Sequence, residues 1–325
     1  MDDKDGMGGT DGIDGIDGTD SVGGTDGIDG TDGVGGLDDC HLRQTPYSDP
    51  GDLDVSGLPR DPGLLAGIVR DLVIHRGEGE RFGYAIPQDR LHQDAESRYV
   101  REILRLLRER AGTPLTVRRP PGTRFVGTCR DFALLHCSLL RATGTPARVR
   151  CGFATYFEGG DHADHWVTEF RTPQGDRRLA DAQLHHTYGG LDFDPTDVPR
   201  DRFLVAADAW RACRTGRADP RRFGVIGLEG IAGLWFVGAG VLRDLAALNG
   251  VELLPWDSWG REISDDASLT EDDIALVDRV AAARTDAELR RLYKEDPRLT
   301  VPEVITSYTT HTGVRKVTLP SSPPA

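Results

Sequence analysis

Cys129 stands in a local sequence that could make a thiol reactive. The stretch 124–153, RFVGTCRDFALLHCSLLRATGTPARVRCGF, holds three of the chain's five cysteines, and Cys129 falls where a Gly-Thr turn runs into a predicted helix. Thr128 and Asp131 have the T-x-x-D spacing of a capping box, which places Cys129 at the first helical position. Unpaired N–H groups and the helix dipole lower the pKa of a thiol at such a position. The local sequence therefore makes Cys129 a candidate nucleophile, and a small buried structural residue is the alternative. Arg130 favours the thiolate, whereas Asp131 opposes it.

Two further residues complete a possible catalytic set, because a cysteine nucleophile needs a base and the base needs an acceptor that fixes its orientation. His165 opens a predicted strand, and Asp181 lies in the next predicted strand. The residues between the two strands, PQGD (173–176), are typical of a tight turn. If the strands are antiparallel neighbours, both side chains can face one sheet edge against which the Cys129 helix packs.

Other histidines and cysteines have different interpretations. The segment DHADHW (161–166) could bind a metal through its two histidines and two aspartates, and a metal-dependent enzyme is one alternative. However, residues three apart on a strand point to opposite faces, and no other Cys or His has matching spacing. We expect packing or structural roles for Cys137, Cys151 and His136, and the sequence assigns no role to Cys40, Cys213, His185 and His186.

The surrounding chain predicts helices, then strands, then more helices. The segment ARVRCGFATYF (147–157) alternates, so we predict a half-buried strand with Arg148 and Arg150 on its polar face. Two more strands are predicted at 165–172 and 177–184. Helical spacing of apolar residues predicts six helical segments: 63–76, 94–112, Phe132 to a stop at Gly144, 201–216, 230–250 and 269–296. The last segment is expected to divide into two helices at a Thr285 cap. Residues 251–260 are expected to form an irregular segment that covers the domain.

The N-terminal residues carry most of the chain's charge. Residues 2–39 contain twelve Asp and one Lys, so eleven of the fourteen net negative charges lie there. The rest of the chain is nearly balanced and gives no reason to expect a nucleic acid as a partner. Because the Gly-Asp repeat at 9–36 has few apolar side chains to offset its backbone entropy, we expect residues 1–50 to be a disordered tail. A loose calcium-binding or partner-binding role for the repeat is the alternative.

Membrane insertion, export and disulfide bonding are not indicated. No apolar run reaches about 18 residues, and the first thirty residues lack the basic start and apolar centre of a secretory signal. Five cysteines at irregular spacings, with no C-x-x-C pair, predict neither a disulfide framework nor a structural zinc site. We therefore expect a cytoplasmic protein without a membrane partner, and the sequence does not set its oligomeric state.

Three segments together resemble the transglutaminase-like superfamily of papain-type cysteine-nucleophile domains. They are GTCRDFALLHCSLLRATGTPARVRCGF, DHWVTEF and LADAQL. In that family a helix begins with a Cys, which is followed two residues later by an Asp (Cys-x-Asp). The helix ends in R-x-x-G-x-P-A-R before a strand. A His lies on the next strand, and an Asp lies on the strand after that. The match falls on Cys129, Asp131, Arg141, Gly144, Pro146, Ala147, Arg148, His165 and Asp181. The later segments FGVIGLEGIAGLWFVGAGVLRDLAAL and ELLPWD also resemble a bacterial group of such proteins.

The resemblance implies an α+β fold with a papain-like core, in which a nucleophile-bearing helix packs on an antiparallel sheet and further helices flank it. We expect this domain at 55–310, with the catalytic core at about 124–184 and a helical extension at about 200–300. The last residues, 311–325, are expected to be a frayed terminus.

The resemblance also implies acyl transfer or hydrolysis on a peptide bond or glutamine carboxamide of a protein or peptide substrate. Cys129 would form a thioester acyl-enzyme, His165 would serve as base and then acid, and Asp181 would hold its tautomer. No cofactor is required. The acyl group could pass to water, as in a protease, deamidase or amidase, or to an amine, as in a transamidase. The Cys129 backbone N–H is the expected first oxyanion donor, and spacing identifies no second. The alternative is a non-catalytic scaffold of the same fold that binds a peptide or partner protein.

Overall fold

Helices and mostly antiparallel strands make up the fold, which confirms the predicted α+β class. The structure is a computed structural model and describes residues 39–157, 161–186, 189–309 and 311–319. The helices are α1 Pro62–Leu72, α2 Gln88–Gln93, α3 Val100–Arg110, α4 Cys129–Ala142, α5 Ala206–Arg214, α6 Leu234–Leu248, α7 Glu271–Ala282 and α8 Asp286–Glu295. The strands are β1 Val73–His75, β2 Phe125–Gly127, β3 Ala147–Ala154, β4 His162–Arg171, β5 Arg177–Ala180, β6 Phe203–Val205, β7 Phe223–Gly224, β8 Asp257–Ser258, β9 Val304–Thr309 and β10 Gly313–Thr318. Across these described ranges, no helix has the length and apolar character needed to cross a membrane.

The central sheet carries the residues of interest. Its strand order is β5-β4-β3-β6, with β7 beside the start of β4. Strands β3 and β4 are antiparallel, and Gly152 lies opposite His165. A second, two-stranded sheet pairs β1 with β2 in parallel, so that His75 lies beside Gly127, two residues before Cys129. The third sheet is antiparallel, in the order β10-β9-β8.

Helix α4 packs against the central sheet along an apolar face that includes Val149, Cys151 and Trp166 of the strands. A hydrogen bond reinforces this contact, because the Thr168 hydroxyl of β4 donates to the carbonyl oxygen of Ala133 in α4 at 2.9 Å. The start of α4, with Cys129, is thereby held beside β4, which contains His165.

The prediction of a half-buried β3 was wrong, because every residue of the strand is buried. Helices of the C-terminal extension cover the face that carries Arg148 and Arg150, and they bring carboxylates to it. Arg150 pairs with Asp244 of α6 at 3.0 Å, and Arg148 pairs with Asp286 of α8 at 2.9 Å. Glu169 of β4 lies within 2.5 Å of Arg148 and 3.3 Å of Arg150. Buried arginines are retained here because each has a partner of opposite charge.

Several predicted elements have different bounds. The helix predicted at 63–76 ends at Leu72, because the apolar residues after it form β1 and pair with β2. The helix predicted at 94–112 begins only at Val100, since Asp94 accepts a hydrogen bond from the backbone N–H of Val126 (2.8 Å) and pairs with Arg110. The helix predicted from 201 begins at 206, because residues 203–205 form β6. The Thr285 cap is confirmed, with the Glu288 carboxylate accepting from the Thr285 N–H at 3.0 Å.

The predicted bounds of both termini also need correction. Residues 1–38 lie outside the described part of the chain, but from residue 39 onward the predicted tail packs on the domain. Ser48 is buried and accepts a hydrogen bond from Arg141 at 2.8 Å. At the other end, 313–318 form β10 rather than a frayed terminus, because the segment pairs along its whole length with β9. Residues 320–325 again lie outside the described ranges.

Substitution of Gly152 by Ala is expected to destabilise the fold by about 1–3 kcal/mol. A Cβ at this position would lie 2.2 Å from the carbonyl oxygen of Leu204 and 2.8 Å from the Phe203 ring, both in the neighbouring strand β6. Chemical denaturation measures the loss, and Gly112→Ala is the control, because a Cβ there would meet nothing within 4 Å. Equal unfolding midpoints for the two variants would contradict the close approach of β3 and β6.

Candidate active site

Cys129 is the first residue of α4, as the capping pattern predicts. The Asp131 carboxylate accepts hydrogen bonds from the Thr128 N–H at 2.8 Å and from the Thr128 hydroxyl at 3.1 Å. Cys129 itself is 8% exposed. Its backbone N–H has no acceptor among the described residues, as expected of a first-turn N–H. The capping interaction therefore fixes both the thiol and a free N–H at the same point.

His165 and Asp181 are directly bonded. The His165 Nε2 lies 2.6 Å from Asp181 Oδ2, and both side chains are almost completely buried. Asp181 also accepts from the Tyr156 hydroxyl at 2.8 Å and from the Gln183 N–H at 3.0 Å. Because this carboxylate is fixed by three donors, it holds the imidazole with Nε2 protonated and leaves Nδ1 as the basic nitrogen.

The position of Asp181 differs from the predicted one. Strand β5 ends at Ala180, so Asp181 is the first residue after the strand rather than a member of it. Its backbone N–H donates to the carbonyl oxygen of Pro195 at 2.7 Å instead of to β4. The turn predicted at 173–176 is present, with Gly175 at a φ of 96°, and it brings β5 back alongside β4.

The thiol of Cys129 lies in the same neighbourhood as the His165–Asp181 pair. The backbone N–H of Trp166, the residue after His165, donates a hydrogen bond to the Cys129 sulfur. Burial raises the pKa of the Cys129 thiol well above its usual range, and the charges of Asp164 and Asp181 raise it further. The helix start therefore does not by itself produce a thiolate, and ionisation requires a base that accepts the proton.

Aromatic rings surround the imidazole of His165. Their centroids lie at 4.9 Å for Phe157, 5.9 Å for Tyr156 and 6.4 Å for Phe203. These rings exclude water from the His165–Asp181 bond and restrict rotation of the imidazole. A hydrogen bond to a carboxylate is stronger in such a setting than in water.

Comparison with known families is consistent with this arrangement. The sequence model of the transglutaminase-like superfamily matches residues 97–179. We call this matched segment the transglutaminase-like core. It contains Cys129 and His165 and ends two residues before Asp181.

A search of solved structures found similarity to "a Putative Cysteine Protease from Cytophaga hutchinsonii" at 20% sequence identity and a TM-score of 0.18. The alignment covers 51% of this chain, and it spans only 55% of the other protein's length. No curated protein matches the chain.

His75 lies beside the transglutaminase-like core. The sequence pattern had predicted this residue to lie inside a helix. The Gly77 N–H donates to His75 Nδ1 at 3.1 Å, so Nε2 is the protonated nitrogen. Burial lowers the pKa of His75 to about 4, and the nearby charge of His165 acts in the same direction. His75 is therefore a neutral N–H donor at neutral pH, on the strand that lies beside β2 and the start of α4.

The proposed metal ligands in the core do not converge. The His162 ring stacks on Phe223, with 4.0 Å between centroids, whereas His165 is bonded to Asp181. Asp161 pairs with Arg222 at 3.1 Å. In the part of the chain that the structure describes, no three His, Cys, Asp or Glu side chains are grouped so that they could hold a metal ion.

The remaining candidates have structural surroundings. Cys137 and Cys151 are fully buried in the core, as expected, and neither they nor Cys213 is in a disulfide. His136 lies 3.0 Å from the carbonyl oxygen of Pro62 through Nε2. The side chain of Cys40 lies outside the described part. His185 and His186 contact each other through their Nδ1 atoms at 2.7 Å, and His186 lies 3.5 Å from Asp71.

Proposed function

We propose that this protein is a cysteine-nucleophile enzyme that forms a thioester with the acyl group of an amide substrate, either a peptide bond or a glutamine carboxamide. The observation that carries the proposal is the buried bond between His165 Nε2 and Asp181 Oδ2, next to a cysteine at the start of a helix. A scaffold that only binds a partner has no need of this buried, oriented imidazole beside a thiol.

The first half-reaction transfers the thiol proton to His165. Because burial and two carboxylates disfavour a standing thiolate, Sγ loses its proton to Nδ1 of His165 as it attacks the carbonyl carbon. Asp181 stabilises the imidazolium that results. The imidazolium then gives the proton to the departing nitrogen, the carbon–nitrogen bond breaks, and a thioester remains on Cys129. Water or an amine, deprotonated by His165, attacks the thioester and restores the thiol.

Negative charge develops on the carbonyl oxygen during attack and requires donors. The unpaired backbone N–H of Cys129 is the first donor. We assign the second to His75 Nε2, because the Gly77 N–H fixes its tautomer and its strand lies beside the one that leads into Cys129. This assignment adds a residue that spacing along the sequence did not identify.

The proposal is tested by the pH dependence of Cys129 alkylation with iodoacetamide. Cys129 should be modified faster than the other cysteines at about pH 7, below the ordinary thiol pKa of about 8.5. In His165→Ala the reaction should require a higher pH, because the raised thiol pKa then has no base to offset it. Peptide mass analysis identifies the modified cysteine.

The matched control is His162→Ala, on the same strand but with its ring stacked on Phe223. This variant should keep the rapid reaction of Cys129. A wild-type Cys129 that reacts no faster than a denatured thiol, or equal effects of the two histidine substitutions, would contradict the enzyme proposal and favour a binding scaffold.

A further inference from the structure

Arg243 of α6 is a buried guanidinium with unused donors. It is 8% exposed, its Nη1 donates to the carbonyl oxygen of Pro255 at 3.2 Å, and its guanidinium carbon lies 5.3 Å from the centre of the Phe236 ring. Its Nε and Nη2 atoms are buried without a hydrogen-bond partner in the described ranges. Within those ranges no carboxylate lies within ion-pair distance, 4.0 Å, of Arg243.

This guanidinium lies near the Cys129 thiol. The charges that most affect the Cys151 thiol are those of Asp164 and Arg243, and the Arg243 side chain also donates a hydrogen bond to that thiol. Cys151 lies opposite Trp166 in the sheet, and the Trp166 N–H donates to the Cys129 sulfur. Asp164 acts on Cys129 as well. Arg243 and the proposed nucleophile therefore share Cys151 and Asp164 as neighbours.

Further unpartnered atoms belong to the same neighbourhood. Asp164 Oδ1 and Trp256 Nε1 are buried atoms without a hydrogen-bond partner among the described residues. Trp256 follows Pro255, the residue that Arg243 contacts, and the Arg76 guanidinium lies 5.7 Å from the Trp256 ring. Asp164 and Trp256 are each partly exposed as whole residues, so the cluster reaches the protein surface. A ligand can enter from that side.

Leaving buried donors unpaired destabilises a protein, and the cost is larger when the group is charged. A ligand that supplies acceptors removes this cost. The Nε and Nη2 atoms lie along one edge of the guanidinium, and that edge matches the two oxygens of a carboxylate. The indole N–H of Trp256 is a further donor, and Arg76 adds positive charge nearby.

We propose that Arg243 binds a free carboxylate on the acyl part of the substrate, so that the enzyme acts on amides of acidic acyl groups. The proposal rests on the proposed function, since it places this carboxylate next to the carbonyl carbon that Cys129 attacks. Asp164 Oδ1 accepts a hydrogen bond from an N–H of the same substrate.

The test compares two activated esters of equal chain length, mono-p-nitrophenyl glutarate and p-nitrophenyl pentanoate. In the wild-type protein the glutarate ester should acylate Cys129 about tenfold faster or more, since a charge-assisted hydrogen bond contributes more than 1.4 kcal/mol, which corresponds to a factor of ten. In Arg243→Gln the two rates should become nearly equal, and Arg243→Lys should keep part of the preference. Alkylation by iodoacetamide should be unchanged in both variants.

Equal rates for the two esters in wild type would overturn the proposal even if the Arg243 variants fail to fold. A preference for the glutarate ester that survives in Arg243→Gln would also overturn the proposal, as would a preference that is lost only in Arg76→Gln. These outcomes leave the proposed function intact, because Cys129 is still acylated. Failure of both esters to acylate Cys129 would instead contradict the proposed function, and the Arg243 assignment with it.

Discussion

Replacement of Asp181 by Asn is expected to slow acylation of Cys129 by about 10³- to 10⁴-fold, as the corresponding change does in a Ser-His-Asp triad. The Asp181 carboxylate accepts a hydrogen bond from the protonated Nε2 of His165 at 2.6 Å. The side-chain amide of Asn can instead place an N–H donor opposite Nε2. The imidazole would then turn to the other tautomer, with its proton on Nδ1, where the thiol proton must arrive. The rate of p-nitrophenolate release from p-nitrophenyl acetate, with mass analysis of Cys129, measures the loss.

Tyr156→Phe is the matched control for Asp181→Asn. It removes one hydrogen bond to the same oxygen of Asp181 but leaves the carboxylate and its bond to His165. We expect the rate to fall by less than about tenfold, the equivalent of one ordinary hydrogen bond. If Asp181→Asn were no slower than Tyr156→Phe, the carboxylate would have no role in setting the tautomer, and the proposed triad would be wrong.

Replacement of His75 by Phe is expected to reduce acylation by about 10²- to 10³-fold, the effect of removing one oxyanion donor. Alkylation by iodoacetamide should be unaffected, because attack on a saturated carbon forms no oxyanion. The ratio of the two rates therefore separates oxyanion stabilisation from any disturbance of the thiol. His75→Gln, which keeps an N–H donor, should recover part of the acylation rate.

A parallel loss of both reactions in His75→Phe would assign His75 a structural role at the start of α4 rather than an oxyanion contact. Unchanged acylation would remove it from the site. The pH dependence gives a further check: burial lowers the His75 pKa to about 4, so its neutral form is present at neutral pH and protonation occurs only as the pH falls through that value.

Local patterns in the sequence predicted much of the site. The start of α4 depends on Thr128 and Asp131, three residues apart, and the cap of α8 depends on Thr285 and Glu288 at the same spacing. Such short-range hydrogen bonds are encoded by neighbouring residues, so a pattern finds them. The predicted pair of antiparallel strands grouped His165 and Asp181 with the proposed nucleophile, and the resemblance to a known family implied the same three residues.

Contacts between distant segments were not predictable in the same way. Val73 and Ile74 continue the helical spacing of α1, yet they pair with β2 about fifty residues later and carry His75 to the site. Arg148 and Arg150 were predicted to lie on a polar face because two of the carboxylates that neutralise them, Asp286 and Asp244, are nearly a hundred residues away or more. Arg243 gave no signal, since an isolated arginine in an apolar helix has no local partner that reveals its surroundings. His75 and Arg243, the polar residues that we add around the proposed triad, both depend on such long-range contacts.

The ion pairs on the covered face of β3 have a consequence for how the protein can be divided. Arg148 and Arg150 belong to the transglutaminase-like core at 97–179, but Asp286 and Asp244, which neutralise them, belong to α8 and α6. A fragment cut at the borders of the family match would expose these two arginines, and it would also lack Asp181. We therefore expect the folding unit to extend beyond the matched segment, and recombinant fragments should keep the helices after residue 230 with the core.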